Sequence, residues 1–164
     1  MIHDISLDIA VLVEDLAWQK RLPRLQKKIV TAVETGLLAQ NKLRLKHDRY
    51  ELSVVLTNDA KIKTLNKQHR GKNTATNVLS FPQGGMPVGP GLPAMIGDIV
   101  LAHGVIEAEA RAEHKTFDRH FIHLIVHGVL HLCGYDHETP SQARTMEGLE
   151  KSILADLNIP DPYL

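Results

Sequence analysis

The chain is short of several features that would each announce a class of protein. It has one cysteine, Cys133, so no disulfide can form within it, and its fold must rest on packing and on whatever ion it binds. A lone thiol fits a reducing compartment. The stretch from Met1 to Val13 alternates polar with apolar residues and carries Asp4 and Asp8, unlike the basic start and continuous apolar core of a secretory signal. Both features predict a cytoplasmic protein. No apolar run approaches the roughly 20 residues a membrane-spanning helix needs. Charge of one sign is missing too: 19 Lys and Arg balance 19 Asp and Glu, which removes the global positive field of a typical nucleic-acid binder. Repeats and low-complexity tails are absent.

What remains is an ordinary soluble composition, 43% hydrophobic and 23% charged over 164 residues. That length predicts one domain spanning residues 1–164, large enough to bury about two-thirds of its unfolded surface. Alternating Ile5, Leu7 and Ile9 predict a half-buried strand through Val13. Leu22, Leu25, Ile29, Val33 and Leu37 recur at helical spacing, with Pro23 in the first turn, where its missing N–H costs little. Tyr50 to Thr57 returns to strand character, and Asn58 offers an N-cap for a helix to about Gln68. Short strands are expected at Val78–Phe81 and Ile99–Leu101. The Gly- and Pro-rich segment from Gln83 to Ile96 between them reads as a loop, either a flap or a neutral insertion. Helices are expected over Gly104–His114 and Phe117–Leu132, and a last one opens with the capping-box pattern Thr139-Pro140-Ser141-Gln142. Strands interleaved with helices predict a mixed α+β fold, a small mixed β-sheet packed with about five helices.

Ten histidines are the unusual feature. His127 and His131 lie four residues apart on an apolar helical stretch, so their imidazoles share one face and can converge on one cation. Gly134, just beyond, suits the left-handed backbone that ends a helix, letting the chain reverse and bring His137 to the same point. Three neutral imidazoles would hold one zinc ion and leave a fourth position for water, the arrangement of a catalytic site. His120 and His123 fall on the same side of the helix; His123 suits a hydrogen bond that orients a ligand or the bound water. A lone buried histidine is more often a hydrogen-bonded core residue, but three at this spacing are not explained that way. The frame His127-x3-His131-x2-Gly134-x2-His137 matches that of zinc proteases, which carry Glu directly after the first ligand as general base. Here that position is Gly128, which counts against a peptidase. Cys133 reads as a packing residue.

A second feature is local charge. Lys61, Lys63, Lys67, Arg70 and Lys72, with His69 among them, fall in a segment without acids, a patch able to meet phosphates or simply a solvated helix face.

The run His127-Gly128-Val129-Leu130-His131-Leu132-Cys133-Gly134-Tyr135-Asp136-His137 closely resembles the signature of the YbeY family of bacterial endoribonucleases. Arg70-Gly71-Lys72, Thr76-Asn77-Val78-Leu79-Ser80-Phe81-Pro82 and Gly97-Asp98-Ile99 follow the family's order upstream, so the likeness runs from about Leu56 to the last helix. The family variably has Asp at the place of Asn77 and an apolar residue at that of Cys133. The resemblance implies a metal-dependent hydrolase that cleaves single-stranded RNA in ribosomal RNA processing and late small-subunit maturation, with the ribosome small subunit as partner and no role on DNA. It implies zinc on His127, His131 and His137, and Arg70 as the catalytic basic residue. His123, Asp98 and the ion's own water stay open as general base, and Asp98, like His123, as a residue that supports the ligands from behind. Two other readings remain: a ribosome-assembly factor with a structural zinc, which chelation would unfold, and a zinc hydrolase of another substrate class.

Overall fold

Alternation along the first strand sets the edge of the molecule. The computed structural model describes residues 5–164, so expectations placed on Met1 to Asp4 lie outside the described residues. β1 (Ser6–Val13) half-buries alternate side chains, Leu7, Ile9 and Val11, and pairs in parallel with β2 (Arg49–Thr57). Between them a 3-10 turn at Leu16–Trp18, capped by the Asp15 carboxylate on the Ala17 N–H at 2.9 Å, was not evident from the sequence. It drives Trp18 into the core, where its indole N–H donates to the Thr57 carbonyl at 2.9 Å. α1 (Leu22–Ala39) follows with the expected face inward, Leu25, Ile29, Val33 and Leu37 being buried.

Asn58 caps α2 (Asp59–Arg70), its side chain accepting from the Lys61 N–H. Two strands then form an antiparallel pair, β3 (Val78–Pro87) and β4 (Ala94–Ala102). β4 also pairs in parallel with β2, giving the mixed sheet order β1-β2-β4-β3. The segment expected as a loop over Gln83–Ile96 is largely strand, leaving only residues 88–93 between the two. Pro87 is tolerated because β3 is an edge strand, and Pro90 and Pro93 fall in the connection. Gly84 and Gly85 take positive φ where the register shifts between Pro82 and Met86, the signature of a bulge inside a strand.

Three helices complete the fold: α3 (His103–Ala112), α4 (Phe117–Leu132) and α5 (Pro140–Asp156). α5 begins with the expected capping box of Thr139 and Gln142. The result is α+β, five helices around a four-stranded mixed sheet. α4 is its centre, packing on α1, α3, α5 and the β3–β4 pair. Hence its histidines stand on a helix buried nearly all round, on the kind of rigid element that a precise site needs.

Candidate metal centre

α4 presents His127 and His131 one turn apart, each partly exposed on an otherwise buried helix. The helix ends as the sequence predicts. Gly134 has φ 100°, its N–H bonds the His131 carbonyl, and the Tyr135 N–H bonds the Leu130 carbonyl, both at 3.0 Å. This paired cap satisfies two of the helix's last carbonyls. Tyr135 is buried and its hydroxyl donates to the Asn41 side chain at 2.9 Å, which fixes where the chain goes next. His137 thereby returns to the end of the helix, its N–H held by the Asp136 carboxylate at 2.8 Å.

One ligand nitrogen from each of His127, His131 and His137 lies within 4.8 Å of the others. The Nε2 atoms of His127 and His131 are 3.0 Å apart, close to the roughly 3.3 Å between two nitrogens that share a tetrahedral zinc at about 2.0–2.1 Å. The trio therefore fits a divalent cation. Burial, and then the neighbouring His127 and His137, push His131 down to about 4, so at neutral pH it is the neutral imidazole that a metal requires.

The histidines open on a cleft of about 810 Å³ whose other wall is formed by the end of α2 and by β3, with His69, Arg70, Ser80 and Phe81 among its lining residues. α2 ends at Gly71, φ 70°, and the Lys72 N–H reaches back to the Asn66 carbonyl at 3.3 Å. Buried Asn66 donates to the Thr74 carbonyl at 2.9 Å, which ties the following loop to the helix. Arg70 is thus brought to the same cleft as the three histidines. His69 stands edge-on to Phe81, ring centroids 5.0 Å apart. Of the basic segment, Lys61 pairs with Glu14, and Lys63, Lys67, Arg70 and Lys72 are exposed.

Sequence reasoning missed Glu150. It lies on α5 with no solvent exposure, and its carboxylate accepts from His127 Nδ1 at 2.5 Å, from His123 Nε2 at 2.9 Å and from the Tyr163 hydroxyl. Burial works to raise its pKa, but the hydrogen bonds from His123 and His127 prevail and hold it at about 2. A buried carboxylate therefore lies directly behind the histidines, in the charged form that favours a cation. The signal was present: Glu150 interrupts the buried stripe of Met146, Ile153 and Leu154, and an acid on a core face needs a partner.

The other expected residues are placed differently. His123 turns its Nε2 to Glu150. His120 is buried and paired with Glu109 at 2.9 Å, and Glu109 also takes a hydrogen bond from Asn77. Asp98 is not brought to the histidines. Strand alternation gives it the parity of Val100 and Ala102, which pack with Ile62 of α2, whereas Ile99 and Leu101 face the core that holds α4. Its carboxylate accepts from Gln83 at 3.0 Å. Cys133 packs in the core as expected, and burial pushes its thiol up to about 12.

Fold and site together define an α+β protein with a helix-borne three-histidine centre in a cleft that Arg70 also lines. Residues 14–158 match the family model described as endoribonuclease YbeY, and the chain belongs to that family. It is 45% identical to the endoribonuclease YbeY of Rhizobium johnstonii over 162 residues, 96% of this chain and 94% of the relative. It is 44% identical to the endoribonuclease YbeY of Rhodopseudomonas palustris, over 99% of this chain and 84% of the relative. Among solved structures it resembles the solution structure of TM1509 from Thermotoga maritima, with a TM-score of 0.53 and 25% identity over 92% of each chain.

Proposed function

We propose that residues 1–164 form a single zinc-dependent hydrolase domain, an endoribonuclease that cleaves single-stranded RNA in ribosomal RNA processing and late small-subunit maturation in the cytoplasm. The observation that carries this reading is the convergence of three imidazole nitrogens within 4.8 Å in the cleft that Arg70 also lines. The family's endoribonuclease name supplies the substrate class.

His127, His131 and His137 would hold the ion. An ion held there would supply Lewis acidity toward a phosphoryl oxygen and a water acidified toward about 7. Arg70 holds the phosphate through its planar guanidinium and offsets the negative charge that grows on the oxygens in the transition state. Phe81 and His69 offer ring faces and edges against which an unpaired base can lie, a contact that a duplex withholds. Asp98, which does not line the cleft, takes no part in this reading. A peptidase is disfavoured because Gly128, at the place of the protease base, packs against the sheet: a Cβ there would meet Ile99 Cγ2 at 2.9 Å.

The test is cleavage of a labelled single-stranded RNA by zinc-loaded protein, beside Arg70→Glu and His127→Ala. We expect cutting by the parent, suppression by chelator, and a loss on the order of 10²-fold for Arg70→Glu, the scale of removing one group that stabilises transition-state charge. Full activity in both variants would assign the cleavage to a contaminating nuclease.

A further inference from the structure

Among the described residues Glu150 is the one buried acid, and the proposed chemistry leaves it without a task. An ionised carboxylate has only acceptors, so every group bonded to it must donate. His127 therefore carries its ring proton on Nδ1, toward Glu150 at 2.5 Å, and its Nε2 is a free lone pair aimed at His131. By the same reasoning His123 carries its proton on Nε2, 2.9 Å from the carboxylate. Its other nitrogen, buried without a partner, is then a lone pair, which needs no acceptor. Tyr163 supplies a third donor from the chain beyond α5. That segment is strapped down by Lys115 Nζ on the Pro162 carbonyl at 3.0 Å and by the ion pair of Lys151 with Asp161 at 3.7 Å.

We propose that Glu150 is the positioning residue of the metal centre: it fixes the tautomer and orientation of His127, while His123 and Tyr163 hold the carboxylate in place. The inference rests on the reading that His127, His131 and His137 hold the ion. A carboxylate hydrogen-bonded behind a ligating imidazole raises its basicity and locks its ring, and loss of such a partner commonly weakens metal binding about 10–100-fold. A merely structural ion pair would leave zinc affinity unchanged.

Zinc affinity would be measured by chelator competition on the whole chain, alongside the nitrogen-15 resonances of histidine in metal-free protein. We expect Glu150→Gln, which keeps the volume but replaces one acceptor oxygen with an NH2, to weaken zinc binding about 10–100-fold. The parent should show His127 in its Nδ1-protonated form and the variant a mixture of tautomers. Tyr163→Phe, which removes only a hydroxyl at the partly exposed end of the network, should weaken binding in the same direction by less. It keeps the test open if Glu150→Gln does not fold. Zinc binding by His127→Ala as tight as the parent's would remove the three-histidine reading and this inference with it. Loss of binding in His127→Ala with parent-like affinity in Glu150→Gln, or Nε2-protonated His127 in the metal-free parent, would overturn the role of Glu150 and leave the centre standing.

Discussion

Replacing Gly128 with alanine sets two effects of opposite sign against each other. In a helix interior alanine is favoured over glycine by about 0.8–1 kcal/mol, so on propensity alone the variant should be the more stable protein. The added Cβ, however, would lie 2.9 Å from Ile99 Cγ2, 3.2 Å from its Cδ1 and 3.3 Å from its Cγ1. Ile99 is fully buried on β4, and a β-branched side chain has few rotamers in which to retreat. Overpacking of this kind costs about 1–3 kcal/mol, so the clash should win by about 1 kcal/mol. For a chain of this length that lowers the melting temperature by about 2–4 °C. The decisive form is a double-mutant cycle in urea with chelator present, so that metal binding does not enter. Ile99→Ala alone should cost about 2–5 kcal/mol. In that background all three contacts are gone, and Gly128→Ala should become stabilising by up to about 1 kcal/mol through propensity. The two substitutions should therefore couple by about 2 kcal/mol, well beyond the usual additivity error of about 0.3–0.5 kcal/mol. A Gly128→Ala protein more stable than the parent with Ile99 intact would refute the claim that close helix-to-sheet approach selects this glycine.

Two further expectations test the frame around the site. Asp118 near the start of α4 is held down at about 2, chiefly by its hydrogen bond from Arg24, with Lys28 adding to it against the effect of burial. Its folded pKa lies below the unfolded value, so the stabilisation is present above about pH 4 and is lost as pH falls toward 2. Asp118→Asn should cost about 1 kcal/mol at neutral pH, a figure reduced because Arg24 and Lys28 are half exposed and screened. Urea titrations across that range should show parent and variant converging at low pH; a gap that persists at pH 2 would show that the ion pairs are not its source. Cys133, buried and with its thiol pushed up to about 12, should react with a thiol reagent at pH 8 only as fast as the protein opens. Immediate labelling of the native protein would mean that the end of α4 is far looser than the packing around it implies.

How much of this was written locally in the chain follows from the range over which each interaction acts. The capping box of α5, the Asn58 cap and the inward face of α1 are matters of four to eight neighbouring residues, and each forms where its pattern stands. The three-histidine group was legible for the same reason: two ligands share a helix face, and a glycine at φ 100° turns the chain back to the third. The strands β3 and β4 were legible at Val78–Phe81 and Ile99–Leu101. Their extension toward each other was hidden because proline and glycine signal a loop from within, while their tolerance in β3 comes from its place at the sheet edge. Asp98 was a candidate through the run Gly97-Asp98-Ile99, and spacing alone could not show that it stays out of the cleft lined by the histidines. Glu150 is 23 residues from His127 and belongs to another helix, so only its intrusion on an apolar stripe announced it.

Charge gives the last step. A neutral chain is an odd agent for RNA, yet neutrality is a sum and the cleft meets only part of it. The exposed cations Lys63, Lys67, Arg70 and Lys72 are gathered at and beyond the end of α2, where Arg70 reaches the cleft. Asp136 and Glu138 line the cleft as well, whereas Glu150, hydrogen-bonded to His127, is buried behind the histidines. It sets the imidazoles and favours a cation, but it is kept from the solvent through which a polyanion approaches. At the other end of α4, Arg24 and Lys28 share the single carboxylate of Asp118, which offsets one of their two charges. On the proposed reading the protein's contact with RNA is concentrated at the scissile linkage, and selection among RNAs falls to whatever partner presents an unpaired strand.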